Sequence, residues 1–365
     1  MADAAAVAAD GATVAPGSSE TGRLVAPPVS LPERLKYSLI AFVLQKLLTN
    51  SRLWIKATKK YFVPPDPNEP DLVKTYPVRK SLPIRIFFPP GHNPSTKGAT
   101  STKLPTLLTI HGGGFVVGSA NDNDNWNRTF STRNSFLVVA LNYAKAPGNP
   151  FPGPIYDVET LIGCVLSDSS LPVDTNRVAL AGWSAGGNLV LAASQLPSLQ
   201  GRIHAAVPFY PLTDRTTTSE QKARGRRYKP ALGGFRGKDE DFLLAMSGLF
   251  NWAYLNPGTR LDDPLLAGRR IPGLDEVVGR QEEAGKGVLI TEGDERFAWE
   301  TTREDGSRYR WLLVPDTIHG HDQDNIDRLV KDPVLMEDAR IKKVKVIDLV
   351  GQWLLDGPLR PKARS

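Results

Sequence analysis

From Leu104 onward the chain alternates uninterrupted apolar runs with mixed segments. LPTLLTI, FLVVALNY, NRVALAG and AAVPFYP read as strands buried on both faces, since polar residues do not recur in them at period two. Each ends in glycine or turn chemistry: HGGG, AKAPG, WSAGG and LTD. GVLITEG before DE and RWLLVPD before TIHG complete the set. Ahead of them, LVKTYPVR and LPIRIFFP are shorter, and are predicted as antiparallel neighbours at a sheet edge. Helical stretches separate most of the later runs. The pattern predicts an α/β chain with an eight-stranded, mostly parallel sheet covered by helices on both faces.

Three segments fall outside that alternation. Residues 1–30 are rich in Ala, Gly, Ser and Pro and read as a disordered tail, with no basic start and apolar core of a secretory signal. Residues 31–62 read as one or two helices. Nine of the twelve positions from Tyr37 to Leu48 are apolar, too short a run for a membrane span of about 20 residues. Lysines border this apolar surface. Docking on the protein body, with their stems covering it, is favoured over contact with a membrane surface. Four prolines in VPPDPNEP end that region. Residues 215–262 leave the sheet pattern: a basic, loop-like stretch, then the helical DFLLAMSGLFNWAYL. Such an excursion is expected to cover a site as a lid.

Composition narrows the function classes. In 365 residues there is one cysteine, Cys164, which suits a reducing compartment and packs as a small hydrophobe. The net charge of +6 accompanies no zinc-finger spacing, RNA-binding motif or sustained basic helix, so nucleic acid is not an expected partner. The cytosol is the expected location, no metal or cofactor is expected, and a monomer or homodimer is the expected state.

The chemistry centres on ALAGWSAGGNL. A nucleophilic serine must expose its hydroxyl, and a tight strand-to-helix turn does this while tolerating only small neighbours; Gly182, Ala185, Gly186 and Gly187 supply them around Ser184. The helix that follows presents its N-terminus to developing negative charge. His111 to Gly114, HGGG, ends an earlier strand, where glycine amides can approach a substrate oxygen. The amides of Gly113, Gly114 and Ala185 are the expected oxyanion hole. His111 itself is expected to hold the loop. Phe115 and Trp183, beside these elements, are expected to border the substrate pocket.

Among five histidines, His92 lies in an early polar loop and His204 opens a strand, away from the catalytic end. His319 follows the last apolar run and is the candidate base, with His321 as the alternative. Asp294, after GVLITEG, stands between serine and histidine in chain order, where an orienting carboxylate belongs. Glu292 and Glu295 are its neighbours; Asp305 and Asp316 are weaker candidates.

Together, HGGG, GWSAGG, NYAKAPGNPFPGPIYDV, FYPLTD, TEGDE and IHG resemble the hormone-sensitive-lipase-like branch of the α/β-hydrolase fold, over about residues 72–355. Residues 31–62 and 215–262 are similar to that family's cap. Trp183 stands where an acidic residue is common, Gly148 where a glutamate is usual, and His321 where a phenylalanine often follows. The 25-residue interval from Asp294 to His319 is short for the family and implies a trimmed helix between the last strands. The resemblance implies a serine carboxylesterase for small to medium hydrophobic esters, working through Ser184, His319 and Asp294 without metal or cofactor. A tailoring enzyme (cyclase, dehydratase or acyl transferase) on a biosynthetic intermediate is the second expectation, and a non-catalytic small-molecule receptor the third.

Overall fold

The computed structural model describes residues 25–48, 66–92, 102–212, 215, 246–267, 298–302, 308–312, 322 and 333–361. Six strands form one sheet: β1 (Leu72–Lys74), β2 (Ile84–Phe87), β3 (Leu104–Ile110), β4 (Leu137–Leu141), β5 (Val173–Trp183) and β6 (Ala205–Phe209), in the order β1-β2-β4-β3-β5-β6. β1 and β2 are antiparallel at the edge, as their length and position predicted. β4, β3, β5 and β6 run parallel. All seven residues of β3 and all five of β4 are buried, which matches their lack of polar alternation.

Parallel neighbours need crossovers, and helices supply them. The described helices are α1 (Leu31–Phe42), α2 (Asp124–Asn134), α3 (Gly153–Leu166), α4 (Ala185–Ala193), α5 (residues 246–254), the single-turn α6 (Pro264–Ala267) and α7 (Pro333–Asp356). α3 begins with Pro154 in its first turn, where a missing N–H costs nothing. Successive side chains of a strand point to opposite faces, so the sheet has two cores. Val178 and Leu180 of β5, with Val139 and Leu141 of β4, join the core shared with α3 and α4. Ala179, Ala181 and Trp183 join the other, with Trp126 and Phe130 of α2 and Ile347 and Leu354 of α7. Cys164 is half-buried against the first core.

α1 continues as one π-type turn, Val43–Leu48. It docks on the body: Tyr37 packs against Trp252 of α5, and the Gln45 amide donates to the carbonyls of Val116 (2.9 Å) and Ala146 (2.7 Å). Its opposite side, Leu31, Leu35, Leu39 and Phe42, is exposed. No helix among the described residues is long and apolar enough to cross a membrane.

The end of the chain corrects one expectation. Arg308–Leu312, within the run assigned to a last strand of the large sheet, is β8. It pairs antiparallel with β7 (Ala298–Thr302) in a separate two-stranded sheet. Among the described residues between Asp294 and His319, the chain forms this antiparallel strand pair where a trimmed helix was expected. Part of the signal was present: RYRWL alternates polar and apolar residues over its first four positions, and Asp305-Gly306 is a hairpin dipeptide. The register sets Trp299 opposite Trp311 and Glu300 opposite Arg310. GVLITEG lies outside the described residues, so the described part of the large sheet has six strands.

Candidate active site

β5 ends at Trp183 and α4 begins at Ala185, so Ser184 alone makes the turn between them. Its backbone sits at φ 52°, ψ −113°, a left-handed conformation that a non-glycine residue adopts only when its surroundings impose it. Two backbone bonds do so: Ser184 N–H donates to Phe209 O at 2.9 Å, and Asn188 N–H donates to Ser184 O at 3.0 Å. From 178 to 193 every residue is buried except Ser184, which is partly exposed. The turn thus presents the one hydroxyl and encloses everything around it.

The small neighbours are required by close approach. A Cβ on Gly186 would lie 2.2 Å from Ile110 O and 2.5 Å from His111 O, both backbone atoms of the strand carrying HGGG. This contact brings the two glycine motifs together. Gly186→Ala is expected to lower stability by about 3 kcal/mol, because neither backbone can withdraw without opening the sheet. A urea midpoint equal to wild type would show that the turn tolerates the methyl group.

The glycine loop lies against Ser184: a Cβ built on Gly112 would be 3.5 Å from Ser184 Cβ. Gly113 and Gly114 both have positive φ, 109° and 59°, and so does Phe115 at 66°. The carbonyl of Gly113 accepts from the N–H groups of Val116 (3.1 Å) and Val117 (3.0 Å), which curls the loop. The Ala185 amide, first in α4, is one of the orphan donors of a helix N-terminus. Phe250 of α5 closes over the loop, since a Cβ on Gly114 would fall 2.6 Å from its ring.

His111 is buried beneath the loop. Its Nδ1 is 2.7 Å from Gly112 O, and its Nε2 is 3.1 Å from Asn142 Oδ1 and 3.2 Å from Lys145 Nζ. It stacks on Tyr143, whose hydroxyl donates to Gly112 O at 3.2 Å. Burial, and then the Lys145 charge, hold the imidazole well below its usual pKa, so it is neutral. Both ring nitrogens are engaged, which suits an anchor and not a general base.

Lys145 completes the anchor. Its ammonium donates to Tyr143 O and to Asn142 Oδ1 (3.0 Å) and lies 3.9 Å from the Tyr143 ring centroid. Burial lowers its pKa from 10.5 to about 7. Between those values the unfolded chain keeps a proton that the folded chain has released. Stability therefore rises with pH through that window and falls towards pH 7, below which the penalty is constant. Lys145→Met is expected to flatten the rise of Tm between about pH 7 and 9. An identical pH profile for the variant would remove Lys145 as its source.

Geometry reduces the candidates for the base. The N–H of His204 donates to Val178 O at the start of β6, six residues before Ser184 along the neighbouring strand. That is about 20 Å from the catalytic end. His92 follows β2, whose last residue Phe87 pairs with Val138 at the start of β4, so it too is at the far end. Of the described histidines, then, His92 and His204 are at the far end and His111 has both ring nitrogens engaged. His319, His321 and Asp294 lie outside the described residues, but Asp322 does not. It is buried, accepting from Trp183 Nε1 (2.6 Å) and Tyr210 OH (2.5 Å). The chain just after HGH is therefore anchored to the residue beside Ser184.

The two expected pocket residues have different surroundings. Phe115 is buried beneath the cap, stacked on Tyr254 of α5 with centroids 3.6 Å apart. Trp183 points to the other face of the sheet, stacked on Phe209 (5.2 Å) and edge-on to Trp126 (4.9 Å). Period-two alternation along β5 sends it there, away from α5. Asp322, Tyr210, Lys145 and Arg215 were not singled out from the sequence. YAKAP, which holds Lys145, and FYPLTD, which holds Tyr210, were the local signals for two of them.

A strained serine between a parallel strand and a helix, facing a glycine loop on the next strand, defines an α/β hydrolase. The α/β-hydrolase-fold family matches residues 107–277. That match spans just under half of the chain and shows a likeness to the α/β-hydrolase fold. It is 32% identical over 138 residues to an ethyl acetate hydrolase of Pseudomonas putida, covering 37% of this chain and 42% of that protein. It is 35% identical over 138 residues to the arylacetamide deacetylase of Oryctolagus cuniculus, covering 36% and 33%. These matches span under half of each relative's length. The carboxylesterase EstE1, from a metagenomic library, superposes with a TM-score of 0.53 at 21% identity, over 77% of this chain and 85% of that one, which establishes a shared fold.

Proposed function

We propose that the chain is a serine carboxylesterase. The observation that carries this reading is the partly exposed Ser184 on a strained turn, set against a loop of positive-φ glycines. Ser184 Oγ attacks the ester carbonyl, and His319 accepts its proton. Asp294 orients the imidazole and stabilises it when charged. The amides of Gly113, Gly114 and Ala185 donate to the oxyanion as the carbonyl becomes tetrahedral. His319 returns the proton to the leaving alcohol, and water, activated by the same base, releases the acid and frees Ser184. Chain reach supports His319: it is three residues from Asp322, at most about 10 Å along an extended backbone.

The test is turnover of p-nitrophenyl acetate, butyrate and octanoate, alongside labelling by a fluorophosphonate. Serine-dependent hydrolysis with an optimum chain length is the expected result. Labelling at Ser184 with no turnover of any ester would mean an intact nucleophile serving another reaction, and the tailoring-enzyme reading would replace this one. His319→Ala is expected to lower kcat by about 10⁴ or more while His321→Ala leaves most of it. The reverse order would move the base two residues.

A further inference from the structure

Arg215 is 9% exposed, and its guanidinium is enclosed between the cap and the glycine loop. Its charged carbon lies 5.4 Å from the Phe115 ring centroid and 5.2 Å from that of Tyr254. Nη1 donates to Asn251 Oδ1 of α5 at 2.7 Å. Nε and Nη2 are buried with no hydrogen-bond partner among the described residues, and neither has the Tyr254 hydroxyl. A buried cation with no carboxylate opposite it is costly, and such charges are ordinarily paired. Burial pulls its pKa down from 12.5 to about 10, which still leaves it protonated at neutral pH.

That edge has a definite chemistry. Arg85, Arg133 and Arg260 each use this same pair, Nε and Nη2, to grip both oxygens of a carboxylate: Asp124 at 2.8 and 2.5 Å, Asp348 at 2.6 and 2.6 Å, and Asp262 at 3.0 and 2.8 Å. Arg215 holds that planar fork next to Phe115, the residue following the expected oxyanion donors. Asn251 and the two stacked rings lock its orientation. We propose that Arg215 is a substrate-recognition residue, and that the ester this enzyme takes carries a free carboxylate bound by its Nε–Nη2 edge. The inference rests on the esterase reading for the word ester, and on the guanidinium alone for the carboxylate.

Two pairs of esters test it, one for each side of the scissile bond. On the acyl side, p-nitrophenyl hydrogen glutarate is compared with p-nitrophenyl pentanoate. On the alcohol side, p-acetoxybenzoate is compared with p-tolyl acetate. In at least one pair the wild type is expected to favour the carboxylate by about 100-fold in kcat/KM, and Arg215→Met to lose that preference while still hydrolysing the neutral ester. Equal rates within both pairs would overturn the proposal and leave the esterase reading intact. Binding is read separately by melting curves in a buffer free of carboxylates and phosphate. Glutarate or benzoate is expected to raise the Tm of wild type and not of Arg215→Met, whether or not any ester is turned over. Without ligand, Arg215→Met is expected to melt above wild type, because an unpaired buried charge has been removed. A lower Tm would mean that the protein itself supplies the missing partner, and would also overturn the proposal.

Discussion

Replacing Ser184 with alanine is expected to lower kcat on a p-nitrophenyl ester by about 10⁶, leaving only what the oxyanion donors and binding contribute over water. The magnitude follows from the bond that is lost. Without Oγ there is no acyl-enzyme, and the base has no nucleophile to deprotonate. Stability should change little, because alanine suffers the same left-handed backbone at φ 52° as serine does. Ser184→Gly separates the two effects. It should be equally inactive yet more stable than Ser184→Ala by about 1 kcal/mol, since glycine adopts positive φ without strain. Kinetics and urea unfolding of both variants check this together. A loss of activity under about tenfold in either would end the nucleophile assignment.

Asp322→Ala is expected to cost about 2–5 kcal/mol of stability, because it leaves two buried donors, Trp183 Nε1 and Tyr210 OH, without an acceptor. Those donors sit on the nucleophile strand and just beyond the neighbouring strand, 139 and 112 residues from Asp322 in sequence. The bonds therefore close two long-range loops at the catalytic end of the sheet. Tyr210→Phe removes one donor and should cost less than Asp322→Ala. The double variant should be less destabilised than the sum of the singles, since the same bond is removed twice. Urea midpoints for the four proteins give the coupling. Strict additivity would show that the buried contact contributes nothing. Activity should fall as well, because Asp322, three residues from His319 in the chain, is bonded to Trp183, the neighbour of Ser184.

Arg215 and Asp322 mark opposite treatments of buried charge on the two faces of the sheet. Asp322, on the Trp183 face, is fully satisfied by protein donors and works as a tie. Arg215, under the cap, is held by one amide, and its Nε and Nη2 have no hydrogen-bond partner among the described residues. The first arrangement favours a rigid site, and the second gives up stability at a place where ligand can restore it.

What was legible from sequence alone was whatever depends on local chemistry. LPTLLTI and FLVVALNY had to be buried strands because no charged residue interrupts them, and both are buried at every strand position. Ser184 among glycines had to be a tight turn, because a larger neighbour would strike the backbone of Ile110 and His111. The placing of His204 at the far end followed from strand direction. The strand pair at 298–302 and 308–312 was less legible, because RYRWL alternates over four positions but AWETT does not. Tertiary structure alone decided the rest. Trp183 adjoins the serine in sequence, yet strand alternation and the Phe209 stack turn it to the opposite face. Arg215 read as the start of a basic loop until folding buried it between Phe115 and Tyr254. Nothing near Asp322 in sequence indicates Trp183 or Tyr210 as its partners. The physical reason is common to all three: a side chain's periodicity and backbone preference are set by its neighbours in the chain, whereas burial, charge compensation and hydrogen-bond satisfaction are set by residues that only the fold brings within reach.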